Sequence, residues 1–169
     1  GDFAAYIFDC DGTLADSMPL HYHAWRYAFE KHEAKFPFTW ELFYSMAGTG
    51  YYDSVRQLNE RFNDSLDPEA VSHDQQIYLD EHHHTMQPID EVAHLARDLH
   101  ARGEKLAVAS GGHRKHVLKT LEVTGLAGLF PVVVTQDDVR RSKPAPDLFL
   151  LAADRLGVEP ARCLVFEDS

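Results

Sequence analysis

Residues Phe3 to Phe8, FAAYIF, are apolar without a break and are followed by Asp9, Cys10, Asp11 and Gly12. A run of that length and bulk bounded by a glycine turn reads as a strand buried on both faces. Three later runs read the same way: Lys105 to Ser110, Pro131 to Thr135, and Cys163 to Phe166. Between them the period is helical. Ile89, Val92, Leu95 and Leu99 form one apolar stripe, which Gly103 ends. A helix from His113 to Thr124 ends at Gly125, and the stretch from Pro144 to Leu156 contains a helix closed by Gly157. Residues 16 to 87 show no strand alternation. Ala24, Tyr27 and Ala28 share a helical face, Tyr52, Val55, Leu58 and Phe62 share another, and Trp25 reads as core. Asp67-Pro68 starts a third helix, which runs on through Ile77 and Tyr78, with a capping side chain followed by proline at the first position.

Alternating strands and helices predict an α/β fold, a doubly wound parallel sheet with helices on both faces. Residues 1–15 and 88–169 make up that Rossmann-like core, and residues 16–87 a small all-helical domain inserted into it. Ligands of such sheets bind outside the carboxyl ends of the strands. Asp9, Ser110 and Asp168 all fall at such ends, and Lys143 falls in the loop after the third strand. Lys143 precedes Pro144, which disfavours helix at the lysine.

Asp9 and Asp11 are two residues apart, so in extended backbone both carboxylates face one side. Like charges that close need a cation or a shared proton. The pair therefore suits a divalent metal, or a nucleophile beside an acid or base.

The stretch DCDGTLADS, Asp9 to Ser17, closely resembles the first motif of the haloacid dehalogenase superfamily of phosphoryl-transfer enzymes. The family's remaining motifs match in order: Ser110 after a second strand, Lys143 within KPAPD, and Glu167-Asp168 after a later strand. The resemblance covers nearly the whole chain and is nearest to the beta-phosphoglucomutase-like group, with its fructose-1-phosphatase-like members. It implies a Mg2+-dependent phosphatase of small phosphorylated sugars working through an aspartyl phosphate. Asp9 is then nucleophile and metal ligand. Asp11 is general acid and base and lends the metal its backbone carbonyl, and Asp168 completes the protein ligands. A dehalogenase needs no second Asp, so Asp11 favours phosphoryl transfer. Lys143 neutralises Asp9 and the moving phosphoryl group, and Ser110 with the Gly111 amide holds phosphate oxygens. Glu167 is an accessory near the metal, and Thr13 either orients Asp11 or caps the turn. Asp147 reads as a helix start. The helical insertion is the substrate-selecting cap. There His21 falls where sugar-phosphate members carry a His, and Gly48-Thr49-Gly50 reads as a tight loop that leans over the site or simply connects helices.

The runner-up is a phosphosugar mutase. Mutase relatives place an Arg in the cap loop shortly after a glycine to hold a second phosphate. The matching position here is Tyr51, Gly48 to Asp53 holds no Arg or Lys, and Arg56 is the nearest cation. Tyrosine cannot neutralise a phosphate. A rival of another class, a receiver-type phosphoacceptor module, carries its Asp after a middle strand and has no cap.

Composition narrows the partners. A formal net charge of -11 argues against nucleic acid but not against a small phosphate ester, because a bound metal reverses the local field. Two cysteines make no disulfide framework, and no apolar run is long enough to span a bilayer. A cytoplasmic protein, monomeric or weakly oligomeric, is expected. The eleven histidines include consecutive His82, His83 and His84, which read as a polar helix end because neighbours on a helix diverge. Related proteins continue with another helix and strand, so the core reads as incomplete after Ser169.

Overall fold

A computed structural model describes residues 2–47, 49–141, 143 and 145–168. Gly48, Pro144 and Ser169, on which the reading of the cap loop, of the Lys143 loop and of the chain end touched, lie outside the described residues. The chain divides into two compact units, residues 1–17 with 85–169 and residues 18–84.

The first unit is a parallel four-stranded sheet in the order β3-β2-β1-β4. Its strands are β1 (Ala5–Phe8), β2 (Lys105–Ala109), β3 (Val132–Val134) and β4 (Cys163–Phe166). Phe3 is exposed, so the first strand is shorter than its apolar run. Phe8 pairs with Val108 on one side and Phe166 on the other, which sets the ends of three strands level. The strands alternate between two cores. Phe8, Leu106 and Val108 pack with Ala93, Ala96 and Leu99 of α5 (Asp90–Ala101) and with Val117 and Leu121 of α6 (Arg114–Val123). Ala5, Ile7, Ala107 and Ala109 pack with Leu148, Ala152 and Ala153 of α7 (Asp147–Leu156). Gly157 ends α7 in the left-handed region at φ 72°. The polypeptide leaves and rejoins this unit along two adjacent segments: Asp16 N donates to the Gln87 carbonyl and Ile89 N to the Leu14 carbonyl, both at 2.8 Å.

Phe8 carries the site's foundation. It is fully buried, stacks on Phe166 at 4.7 Å between centroids and meets the edge of Phe130 at 5.7 Å. Phe8→Ala is expected to cost about 3–5 kcal/mol, read as a lowered denaturant midpoint. A loss below about 1 kcal/mol would show that this aromatic cluster does not anchor β1.

The second unit is helical: α1 (Met18–Lys31), α2 (Trp40–Ser45), α3 (Tyr51–Phe62) and α4 (Pro68–His82). Its core joins Tyr22, Trp25 and Phe29 of α1 with Leu42, Phe43, Val55 and Leu58. Trp25 is 2% exposed, whereas Tyr27 and Tyr52 are 42% and 50% exposed. Ala24, Ala28, Val55 and Leu58 are buried as their spacing predicts, and only the two tyrosines of those stripes, at their edges, turn outward. Ile77 is likewise exposed. Thr39 and Asp67 cap α2 and α4 through their side chains. α4 ends at His82, and a short 3-10 turn follows from His83 to Thr85.

Candidate active site

The chain turns sharply as β1 ends. The Cys10 carbonyl accepts the amides of Thr13, Leu14 and Ala15 at 3.2, 2.9 and 3.0 Å, and Gly12 closes the knot at φ 79°, where a side chain would be strained. Asp9 N donates to the Phe166 carbonyl at 3.0 Å, tying the start of this turn to the end of β4. Glu167 and Asp168 follow Phe166, so carboxylates from two neighbouring strand ends meet.

Lys143 reaches this meeting point from the loop after β3. Its Nζ lies 3.1 Å from Asp9 Oδ1 and 2.9 Å from Glu167 Oε1, with all three side chains mostly covered. The ammonium also sits 5.0 Å from the Phe149 ring centroid, on α7.

Asp9 is electrostatically poised. Its carboxyl is pushed up from 3.8 to about 6, chiefly by burial; Lys143 and the Cys10 amide, which donates to Oδ1 at 2.8 Å, pull the other way, and Asp11 adds a small upward push. A buried carboxylate that Lys143 does not fully compensate is one that a second cation would stabilise. Asp9, Asp11, Glu167 and Asp168, at or just past the ends of β1 and β4, offer oxygen donors, the kind a hard divalent ion takes. The residues therefore fit Mg2+. Burial likewise pushes the neighbouring Cys10 thiol well up, which keeps it inert.

Asp11 is held by groups that the sequence did not single out. Ser17 Oγ donates to Asp11 Oδ1 at 2.6 Å, and His116 Nε2 stands 3.4 Å from the same oxygen. The hydroxyl that reaches the Asp11 carboxylate is that of Ser17. Thr13 is buried in the turn, its amide on the Cys10 carbonyl, and its hydroxyl has no hydrogen-bond partner among the described residues. Ser17 was visible as the last residue of DCDGTLADS; nothing in the sequence pointed to His116.

Ser110 is 1% exposed at the end of β2, beside β1. Its amide donates to the Val134 carbonyl at 2.9 Å and its Oγ accepts from Gly112 N at 3.1 Å. A tight turn thus leads through Gly111 into α6. The next turn clamps it from outside: Gln136 N donates to the Gly112 carbonyl at 3.1 Å, and Asp137 accepts the Arg114 amide at 2.8 Å. Asp147 opens α7 and pairs with Arg141.

His21 and Thr49 belong to the helical unit. His21 is buried on α1, and Thr49 is half-buried ahead of α3, its amide on the Met46 carbonyl at 3.1 Å. Tyr51 opens α3 with its ring edge-on to Trp25 at 5.4 Å, and Arg56 is paired with Asp53 at 2.9 Å on the surface.

A haloacid dehalogenase-like hydrolase family model matches residues 3–169. A fructose-1-phosphate phosphatase of Escherichia coli K12 is 31% identical over 172 positions, which cover 99% of this chain and 87% of the relative. A phosphorylated carbohydrates phosphatase of Thermotoga maritima is 30% identical, covering 98% of this chain and 76% of the relative. A solved structure from Thermotoga maritima, assigned provisionally as a beta-phosphoglucomutase, superposes with a TM-score of 0.72 at 28% identity, covering 98% of this chain and 76% of that one.

Proposed function

The chain belongs to the haloacid dehalogenase-like hydrolase family, and from that membership we propose that it is a Mg2+-dependent phosphatase of small phosphorylated sugars. The observation that carries the reading is the Lys143 contact with both Asp9 and Glu167 at the ends of adjacent strands. A phosphate ester and an attacking carboxylate repel each other, and this is where positive charge has been assembled against that repulsion.

Asp9 is the nucleophile in this reading. Its carboxylate attacks phosphorus, the sugar oxygen departs, and Asp11 gives that oxygen its proton. Asp11 then takes a proton from the water that hydrolyses the aspartyl phosphate. Lys143 neutralises Asp9 and the transferring oxygens. Ser110 Oγ and the Gly111 amide hold the non-reacting oxygens. Asp9, Asp168 and the Asp11 carbonyl would hold Mg2+, with Glu167 beside them; the ion supplies charge neutralisation. By family resemblance, residues 18–84 are the cap that selects substrate, with His21 and Thr49 as contacts. Water is the acceptor in preference to a second sugar hydroxyl. Tyr51 packs on Trp25 and Arg56 is engaged by Asp53, so α3 opens without a cation committed to a second phosphate. Two free thiols, one of them buried, suit a reducing cytoplasm.

Phosphate release from a panel of sugar phosphates tests this, with and without a chelator. Activity is expected to vanish in excess chelator and return with Mg2+. Full activity in chelator would reject the metal. The pH adds a second check. Asp9 must be ionised to bind the ion and to attack. Below about pH 6, where burial keeps it protonated, more Mg2+ should be needed for half-maximal activity. A Mg2+ requirement unchanged between pH 5 and 8 would contradict this.

A further inference from the structure

His116 is a buried imidazole with no part in the chemistry above. Its side chain is 6% exposed, on the first turns of α6, 105 residues from Asp11 in sequence, yet its Nε2 lies 3.4 Å from Asp11 Oδ1. A polar ring in such a place costs stability unless it meets a polar partner, and an apolar side chain would fill the same space more cheaply. Ser17 Oγ approaches the same oxygen at 2.6 Å from the segment after the turn. Two groups from different elements thus converge on one oxygen of the carboxyl.

The ring's own position is fixed. A Cβ on Gly112 would stand 3.5 Å from His116 Cδ2, 3.4 Å from Ser110 Oγ and 3.3 Å from Val117 Cγ2, so the glycine turn and the imidazole are packed against each other. Val117 anchors the helix in the sheet core, and Asp137 holds the start of α6 through the Arg114 amide at 2.8 Å and His113 Nδ1 at 3.3 Å.

We propose that His116 is a positioning residue for proton transfer: with Ser17 it holds Asp11 Oδ1, fixing the plane of the carboxyl so that its other oxygen carries the proton to the leaving group. The proposal rests on the reading of Asp11 as general acid. It also links two parts of the site, since the helix that follows the phosphate-binding turn is the one that aims the acid.

The test uses a difference in leaving groups. An alkoxide such as that of fructose 1-phosphate must be protonated as it departs, whereas p-nitrophenolate departs unaided. The quantity to follow is kcat/KM, which covers steps up to leaving-group departure and so excludes the later hydrolysis, in which Asp11 acts as base. His116→Leu, and His116→Asn, whose amide is too short to reach, should lower kcat/KM for fructose 1-phosphate about tenfold or more. For p-nitrophenyl phosphate they should change it less than about twofold. His116→Gln, whose amide can reach Asp11, should restore most of the loss. Equal losses on both esters, no loss on either, or no rescue by Gln would overturn the proposal. Asp11→Asn separates the two levels. If it impairs both esters alike, the acid role of Asp11 fails and the proposal with it. If it is selective while the His116 variants are not, only the positioning role fails.

Discussion

Asp9→Asn should lower phosphate release by roughly four orders of magnitude or more, the scale on which removal of a covalent nucleophile acts. Asparagine keeps the size of the side chain and can still accept from the Cys10 amide. The backbone tie from Asp9 to Phe166 does not involve the side chain, so the fold should persist. The variant should also melt higher than the parent when both are metal-free at pH 8. The sign follows from the raised carboxyl. A folded value of about 6 against an ordinary 3.8 means that the native state favours the protonated form. That contribution is complete below 3.8 and is lost as pH rises through 6. At pH 8 the ionised Asp9 therefore costs the metal-free protein about 3 kcal/mol, which an uncharged amide avoids. Mg2+ should raise the melting temperature of the parent much more than that of the variant. Near-normal turnover would remove Asp9 from the chemistry. A variant that melts lower would show that burial does not dominate its electrostatics.

Lys143→Met should be nearly as damaging, about a thousandfold, at the upper end of what one preorganised electrostatic contact supplies. The lysine stands between Asp9 and Glu167 at 3.1 and 2.9 Å. Without it the largely covered Asp9 carboxylate and the more open Glu167 carboxylate face each other, and the transferring phosphoryl group meets uncompensated charge. The Mg2+ concentration for half-maximal activity should fall or hold, because the ion becomes the main cation for Asp9, while the rate at saturating Mg2+ stays low. Recovery of the parent rate by Mg2+ alone would mean that Lys143 only balances charge and does not act on the phosphoryl group.

Much of this site was legible because its key residues are tied to strand ends. Short apolar runs located β1, β2, β3 and β4, and in a parallel sheet the ends of neighbouring strands are neighbours in space. Asp9, Ser110 and Asp168 could therefore be assigned to strand ends from the sequence alone. What the sequence hid depends on helix packing. Ala24 and Ala28 are buried as their spacing predicts, together with the rings of Tyr22, Trp25 and Phe29, while Tyr27 is left at the surface. Spacing states a period, not how wide the buried stripe is or which residue at its edge turns outward. α2 was not read as a separate helix, because six residues, WELFYS, are too few to show a period. His116 was invisible for a related reason: it reaches Asp11 only because α6 packs on the sheet in one rotation, which Val117 and Leu121 decide. Ser17 was written in the motif, but only its 2.6 Å contact with Asp11 distinguishes it from Thr13.

The central claim is that water takes the phosphoryl group from Asp9. Phosphorus NMR, following substrate, sugar phosphate products and inorganic phosphate together in the presence of Mg2+, tests it most directly. Fructose 1-phosphate and glucose 1-phosphate should each decline in step with the rise of inorganic phosphate, with little new ester appearing. Efficient conversion of glucose 1-phosphate to glucose 6-phosphate without phosphate release would contradict the account and make the protein a mutase.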